Sequence, residues 1–174
     1  MLIKAYIGIG SNLENPLHQI TLAKKALKQL SHNNEFICSP LYQSSPRGDI
    51  EQPDYLNAVA CINILQSESK NPETAALELL DQLQAIENTQ GRKRLQHWGA
   101  RTVDLDLLVY DNKTIAHPRL TVPHHAFNQD KGLGYRNFVI YPLADIAFDL
   151  ALPDGTLISE LYNKCSSEGI RRIE

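Results

Sequence analysis

Hydrophobic residues alternate with other residues in some segments of the chain and recur every three or four residues in others. The first segment, Ile3–Ile9, alternates and therefore predicts a strand. Asn15 and Pro16 then form a helix-start signal, an N-cap side chain followed by proline at the first helical position. The apolar positions that follow have helical spacing and predict an amphipathic helix: Leu17, Ile20, Ala23, Leu27 and Leu30.

The same two periodicities continue through the middle of the chain. Phe36–Ser45 and Tyr55–Leu65 predict a second and a third strand with a polar loop between them. A second helix begins after Asn71 and ends near Gly91, with one apolar side: Ala76, Leu79, Leu80, Leu83 and Ile86. Thr102–Tyr110 predicts the next strand. The resulting β-α-β-β-α-β order predicts a ferredoxin-like α+β fold, in which the helices cover one face of an antiparallel sheet.

The pattern after Asp111 is weaker and predicts extra segments that cover this core. It contains turn signals and a short apolar patch, Phe138–Leu143. The tail from Asp149 predicts a covering segment with a last short helix near Ile158–Tyr162. Because no repeat or linker divides the chain, we expect a single domain over residues 1–174.

The composition is that of an ordinary soluble globular protein, with 43% hydrophobic and 21% charged residues. The net charge of −3 gives no overall attraction to nucleic acid or to an anionic membrane. No apolar run approaches the roughly 18 residues of a membrane span, and the first residues lack a signal-peptide pattern. The three cysteines form no CxxC pair, and no HExxH zinc motif is present. We therefore expect a cytoplasmic monomer without nucleic-acid or membrane partners.

Asp104 and Asp106 occupy alternate positions of the predicted strand Thr102–Tyr110. Alternate residues on a strand share a face and lie about 7 Å apart, so both carboxylates can point to one spot outside the core. They repel each other unless cations lie between them. Oxygen ligands of this kind suit Mg²⁺, and paired ions of this type recur in phosphoryl transfer. The alternative is an ordinary solvated pair on an edge strand.

Three arginines and the only tryptophan precede these aspartates: Arg92, Arg94, Trp98 and Arg101. A guanidinium donates two parallel hydrogen bonds to a phosphate. Carboxylates for a metal, guanidiniums for phosphate and an indole for a flat ring together indicate a nucleotide site.

Gly8 and Gly10 follow the first apolar run and invite a dinucleotide-binding interpretation. The third glycine of that fingerprint is missing because Leu13 stands there, and no acidic residue ends the second strand. We therefore expect the glycines to belong to a turn, in which Asn12 adopts an unusual backbone conformation.

Two polar loops carry further candidates. In the loop 42–57, Tyr55 and Asn57 share a face and could stack on and hydrogen bond to a flat heterocycle, or could be ordinary packing residues. The segment 119–125 supplies a cation and two imidazoles that could serve a leaving phosphate or be merely structural. Arg136 and Phe138 repeat the combination of a cation and a ring.

Four motifs together resemble the 6-hydroxymethyl-7,8-dihydropterin pyrophosphokinase family of folate biosynthesis: QPDYLN (52–57), GRKR (91–94), WGARTVDLDLL (98–108) and RLTVPHH (119–125). GIGSNL near the start and YPLADIA (141–147) fit as well. The resemblance implies a ferredoxin-like enzyme that transfers the diphosphate of ATP to the hydroxymethyl group of the pterin, with two Mg²⁺ as cofactors.

The resemblance also implies roles for individual residues. The metal ligands would be Asp104 and Asp106. The catalytic residues would be the same two aspartates together with Arg92, Arg94, Arg101 and His124. The ATP contacts would be Glu87, Arg92, Arg94, Trp98, Arg101, Leu107, Arg119, Thr121, His124, His125 and Arg136. The pterin contacts would be Ser44, Ser45, Arg47, Tyr55, Asn57, Trp98, Asp104 and Phe138.

The chain departs from the family pattern in a few places. Ser45 and Arg47 stand where proline and an apolar residue are usual, and His97 and Ala100 replace a common arginine and proline. The stretch Asn128–Tyr135 is longer than usual. Three alternatives remain open: a polymerase-like nucleotidyl transferase, an RNA-binding module of the same fold class, and a relative that binds pterin without transferring a group.

Overall fold

The structure is a computed structural model that describes residues 1–48, 50–91, 102–130 and 132–173. The strands in chain order are β1 (Leu2–Ser11), β2 (Phe36–Cys38), β3 (Tyr42–Ser44), β4 (Tyr55–Leu65), β5 (Asp104–Tyr110), β6 (Ile115–His117), β7 (Leu120–Val122) and β8 (Ile170–Arg172). The helices are α1 (Pro16–Leu30), α2 (Pro72–Thr89), α3 (Asn137–Ala147) and α4 (Ile158–Lys164), with short 3-10 helices at His32–Asn34 and His125–Phe127.

The main sheet has the antiparallel arrangement that the element order predicts. Its strand order is β5-β1-β4-β3-β8, and β2 pairs with the same strand as β3, namely β4. All of these pairings are antiparallel. The ferredoxin-like prediction is therefore confirmed. The strands β6 and β7 form a separate hairpin.

Both predicted helix starts are confirmed. The Asn15 side chain accepts a hydrogen bond from the His18 amide at 3.4 Å, and the Asn71 side chain accepts one from the Glu73 amide at 2.8 Å. Gly91 follows α2 with a φ of 77°, a conformation that favours glycine at a helix end. Helices α1 and α2 pack on one face of the sheet through a shared core that includes Ile20, Leu27, Leu79 and Leu83.

The predicted strand Phe36–Ser45 is wrong as one element, because it is interrupted between β2 and β3. Pro40 has no amide hydrogen for the ladder, and strands tolerate proline only at their edges. Ser39 takes over the pairing with β4: its amide donates to the Val59 carbonyl at 2.9 Å, and its Oγ accepts from the Val59 amide at 3.0 Å. Residues 36–44 therefore remain hydrogen-bonded to β4, although the strand is interrupted at residues 39–41.

The prediction that helices cover only one face is incomplete. Helices α3 and α4 pack on the opposite face, where Ile140, Leu143 and Ile158 form a second core with Val59 and Leu108 of the sheet. The apolar patch at 138–143 is part of α3, which contains Pro142, a residue that usually breaks a helical pattern. The last short helix is confirmed as α4, whereas β8 was not predicted.

Candidate active site

Asp104 and Asp106 share the α3 face of β5. Val103, Leu105 and Leu107 point the other way and are buried in the core with α1 and α2. This confirms the predicted alternation of side chains along the strand. The carboxylates line a pocket between the sheet and α3, together with Phe138 and Val139.

Two glycines of β1 lie opposite these aspartates. Gly10 pairs with Asp104, and Gly8 pairs with Asp106. A Cβ added at Gly10 would lie 3.7 Å from the Asn57 Oδ1 atom, inside the space that the pocket uses. The absence of side chains here leaves the floor of the pocket open.

The prediction of a turn at these glycines is wrong. Gly8 and Gly10 are strand residues with no positive φ, and the positive φ angles belong to Glu14 and Asn15. Asn12 is instead buried, and its Nδ2 donates to the Gln52 Oε1 at 3.1 Å and to the Pro53 carbonyl at 3.0 Å. Asn12 therefore ties the end of β1 to the loop before β4.

The pocket brings together every predicted pterin contact that the structure describes: Ser44, Ser45, Arg47, Tyr55, Asn57, Asp104 and Phe138. Asp106 and Arg136 line the same pocket. Sequence reasoning missed these lining residues: Gly8, Ile9, Gly10, Gln52, Ala58 and Val139. The signal for the glycines was the alternation of residues in the first strand, which places them on the face opposite Ile7 and Ile9.

A polar network fixes the inner wall of the pocket. Asn57 is buried, and its Nδ2 donates to the Ser44 Oγ at 2.8 Å and to the Tyr42 carbonyl at 3.5 Å. The Tyr55 hydroxyl donates to the Gln52 Oε1 at 3.2 Å. Asn57 is therefore held in one orientation, which suits an amide that reads the polar edge of a ligand.

His124 lies beside Asp106 at the edge of the carboxylate pair, with 4.0 Å between its Nε2 and the Asp106 Oδ1. Burial, with smaller contributions from His125 and Arg136, lowers the pKa of His124 to about 3, so its imidazole is neutral at pH 7. Asp106 is 43% exposed and too well solvated to offset this. The His124 Nδ1 accepts from the Ala126 amide at 3.1 Å, which leaves the proton on Nε2, facing Asp106.

Two of the implied ATP residues are buried parts of the fold. Glu87 is 1% exposed, and its Oε1 accepts a hydrogen bond from the Leu105 amide at 2.7 Å. This contact holds β5 against α2. The Leu107 side chain is buried in the core with α1 and α2, so it does not face the carboxylate pocket, and only its main chain is available to a ligand there.

The hairpin residues implied for ATP lie outside the pocket lining. The exposed Arg119 side chain pairs with Asp81 of α2, and Thr121 is exposed on β7. The His125 ring stacks on His124 with 4.0 Å between ring centroids. Arg92, Arg94, Trp98 and Arg101 lie outside the described residues.

Comparison with known proteins decides the family. A family model described as 7,8-dihydro-6-hydroxymethylpterin-pyrophosphokinase (HPPK) matches residues 6–148, which is most of the chain. The chain belongs to the HPPK family. The strand β8 lies beyond the matched residues.

Relatives named 2-amino-4-hydroxy-6-hydroxymethyldihydropteridine pyrophosphokinase agree with this membership. The Haemophilus influenzae protein is 48% identical over 163 residues, which cover 94% of this chain and 93% of that protein. The Pseudomonas aeruginosa protein is 43% identical over 173 residues, covering 99% and 98% of the two chains.

Solved structures of HPPK-DHPS proteins share the fold. One, in complex with substrates, has a TM-score of 0.64 at 13% identity and covers 92% of this chain but 43% of its own length. Plasmodium falciparum HPPK-DHPS with pterin and p-hydroxybenzoate also has a TM-score of 0.64 at 13% identity, covering 99% of this chain and 47% of its own. This chain therefore spans less than half of those proteins.

No helix in the described ranges is long and apolar enough to cross a membrane.

The carboxylate pair suits the divalent ion that an HPPK-family enzyme uses with ATP. Asp104 and Asp106 offer oxygen ligands only, on one face of one strand, and glycines stand opposite both of them. Mg²⁺ binds through one or two carboxylates and completes its coordination with water and substrate phosphates. Within the described residues no cluster of three or more His, Cys, Asp or Glu residues could hold a metal ion.

Proposed function

We propose that this chain transfers the diphosphate group of ATP to the hydroxymethyl group of 6-hydroxymethyl-7,8-dihydropterin, giving AMP and the pterin diphosphate. Its HPPK-family membership supports the reaction. The observation that carries the assignment of the site is that Asp104 and Asp106 line the same pocket as Tyr55, Asn57 and Phe138. Groups for a metal–phosphate centre and groups for a flat heterocycle therefore meet in one space.

We propose that Asn57 reads the polar edge of the pterin while Tyr55 and Phe138 contact its ring. The Asn57 Nδ2 already donates to the Ser44 Oγ and the Tyr42 carbonyl, so its Oδ1 would accept a hydrogen bond from an N–H group of the heterocycle. Trp98, Ser44, Ser45 and Arg47 would complete this subsite. In this placement the hydroxymethyl group would point toward the carboxylate pair, and the position of both Asn57 and Asp104 opposite Gly10 supports a ligand that reaches both.

The pterin hydroxyl oxygen would attack the β-phosphorus of ATP in line. A bond forms between that oxygen and the β-phosphorus, the bond from the β-phosphorus to the α,β-bridging oxygen breaks, AMP leaves with that oxygen, and the hydroxyl proton is released to water or to a phosphate oxygen. Mg²⁺, two ions in this proposal, would be held by Asp104 and Asp106 and would supply neutralisation of the triphosphate charge. Phosphoryl-type transfer depends mainly on positioning and charge stabilisation, so a strong general base is not required.

The remaining residues would act on ATP. Arg92, Arg94 and Arg101 would bind phosphates, and the segment 92–98 would close over the nucleotide and exclude water. The Nε2–H of His124 would donate to a phosphate oxygen near Asp106, a role that suits a neutral imidazole. Leu107 (through its main chain), Arg119, Thr121, His125 and Arg136 remain proposed ATP contacts, whereas Glu87 would act by holding β5. We further propose that the protein acts as a single-domain monomer in the cytoplasm.

The decisive experiment measures AMP release from ATP and Mg²⁺ with and without 6-hydroxymethyl-7,8-dihydropterin. We expect stoichiometric AMP and pterin diphosphate only when both substrates are present. Release of AMP without the pterin, or no release with it, would contradict the assignment. Because Trp98 is the only tryptophan, its fluorescence reports binding separately: pterin that quenches it without AMP formation would indicate a binding protein instead of an enzyme.

A further inference from the structure

Asp130 joins two arginines of the pocket wall. Its Oδ2 accepts a hydrogen bond from the Arg47 Nη1 at 2.7 Å and one from the Arg136 Nε at 3.4 Å. The two arginine side chains are only 14% and 11% exposed, and both residues line the pocket. Asp130 itself is not among the lining residues, so any effect that it has on a ligand passes through its partners.

The Asp130 carboxylate is needed because two guanidiniums, those of Arg47 and Arg136, lie together at the pocket wall. Two guanidiniums at this degree of burial repel each other and lose hydration, which is costly unless an anion compensates. Burial lowers the pKa of Arg47, Asp130 raises it, and Arg136 lowers it further. Asp130 therefore supplies the charge that allows both cations to stay at the pocket wall.

Arg47 connects this ion cluster to the heterocycle side of the pocket. Its Nη2 donates to the Tyr135 carbonyl at 2.6 Å, and its guanidinium carbon lies 5.4 Å from the centroid of the Phe138 ring. A cation over a ring face at this distance is held by the ring quadrupole. The position of Arg47 therefore fixes both the main chain before α3 and one face of Phe138.

The backbone around Asp130 holds the carboxylate in place. The Asp130 amide donates to the Gly134 carbonyl at 3.1 Å, and the Asp130 carbonyl accepts from the Leu133 and Gly134 amides, each at 3.1 Å. Gly132 and Gly134 have φ angles of 78° and 67°, which allow the chain to close this tight turn. The turn thus presents the Asp130 side chain to the two arginines from a fixed base.

We infer that Asp130 is a positioning residue for pterin binding, which holds Arg47 and Arg136 in the pocket wall and, through Arg47, sets the Phe138 ring against which the heterocycle binds. This inference rests on the proposed function, because it assigns the same pocket to the pterin.

The test is Asp130→Asn, which removes the charge and keeps the shape. We expect the pterin KM and the calorimetric pterin Kd to rise about 10-fold, since charge-assisted hydrogen bonds are lost. The kcat at saturating substrates should stay within about threefold, because the residue does not touch the reacting atoms. Asp130→Glu keeps the charge and should recover most of the affinity. Glu78→Gln, which breaks the exposed Lys70–Glu78 pair outside the pocket, is the matched control and should leave both constants unchanged.

A double-mutant cycle with Arg47→Leu separates positioning from general stability. If Asp130 acts through Arg47, then Asp130→Asn in the Arg47→Leu background changes the pterin Kd much less than it does alone. Additive effects, an unchanged pterin Kd in Asp130→Asn, or a variant that fails to fold would overturn the inference. Failure of the wild-type protein to release AMP would instead overturn the proposed function, so the two outcomes are distinguishable.

Discussion

Gly10 lies directly between Asn57 and Asp104 in the sheet, since it pairs with Asn57 on β4 and with Asp104 on β5. Residues directly opposite one another in antiparallel strands share a face. The three positions therefore form a row across the pocket floor, and the central position has no side chain. An amide and a carboxylate can then reach one ligand that rests over Gly10.

Gly10→Ala tests this arrangement. The new Cβ would lie 3.7 Å from the Asn57 Oδ1 and 4.0 Å from the Tyr55 Cδ1, ordinary contact distances, so the fold accepts it. Glycine weakens a strand, so we expect the Tm of the variant to be at least that of the wild type. The methyl group fills ligand space, and a methylene-sized overlap costs about 1–3 kcal/mol, so the pterin Kd should rise about 5- to 150-fold.

The control for this variant is Gly8→Ala. Its Cβ would meet the Leu108 side chain at 3.5 Å and not the Asn57–Tyr55 wall. Calorimetry should therefore show a smaller loss of pterin affinity than for Gly10→Ala. Equal losses in both variants would contradict the assignment of the pterin to the row over Gly10.

The carboxylate pair gives a second prediction. Asp104→Asn and Asp106→Asn should each lower Mg²⁺-dependent kcat by at least ~10³, or about 4 kcal/mol of activation free energy. Steady-state turnover with and without Mg²⁺ measures the effect. A variant that kept near-normal turnover would contradict the metal-binding role.

The sequence predicted those parts of the fold in which the local signal, a helix cap or a strand alternation, matches the pattern of buried side chains. Asn15 and Asn71 mark helix starts through their own side-chain hydrogen bonds, and the parity of β5 separates Leu105 from Asp106 without any long-range information. Such features depend on neighbours a few residues away. The pterin wall was predicted through motif resemblance, and the residues of that wall meet in space because β3 and β4 pair at Ser44 and Tyr55.

Features that depend on distant contacts were not predictable from local pattern. Helix α3 is apolar on many sides and contains Pro142, so its apolar residues do not recur at regular helical spacing. Its position on the face of the sheet opposite α1 and α2 follows from packing in the second core. The contact between Arg47 and Asp130 joins residues 83 positions apart. In the sequence each of the two is an ordinary loop charge, and only the fold shows that they form an ion pair.

Glu87 gives a prediction about stability. In the fold its carboxylate accepts from the Leu105 amide, next to both aspartates in β5. Glu87→Ala leaves that buried amide without this acceptor, which costs about 1–3 kcal/mol. We expect the Tm to fall by about 2–4 °C per kcal/mol, the scale for a chain of this size. Glu87→Gln keeps an acceptor oxygen and should lose less. Unchanged melting in Glu87→Ala, together with a raised ATP KM, would point to direct nucleotide contact instead.

The strand β8 gives a prediction for a part of the chain outside the family match. It pairs with β3 at Ser44, and the Gly169 carbonyl accepts from the Ser45 amide at 3.0 Å. A chain shortened by residues 170–174 leaves β3 as an edge strand, which lowers the order of the Ser44–Ser45 wall. We expect a several-fold higher pterin KM with an unchanged ATP KM. A shortened chain with wild-type pterin kinetics would show that β8 does not support the site.

Asn57 gives the sharpest test of which ligand edge the pocket reads. Its Nδ2 is held by the Ser44 Oγ and the Tyr42 carbonyl, so the orientation of its amide is set before the ligand arrives. Leaving a buried polar group of the ligand unpaired costs about 1–3 kcal/mol, so Asn57→Ala should weaken pterin binding ~10–100-fold. Ser44→Ala removes one support of that orientation but leaves the Tyr42 carbonyl, and it should weaken binding less.

A pterin analogue that lacks the matching polar edge separates recognition from damage to the pocket. The wild-type protein should bind the analogue ~10–100-fold more weakly than the substrate, because the Asn57 amide is then left unpaired. In Asn57→Ala this preference should disappear, since no amide remains to discriminate between the two ligands. Calorimetric titration of both ligands into both proteins measures it. If Asn57→Ala still preferred the substrate by the wild-type ratio, another group would have to read that edge, even if overall affinity had fallen.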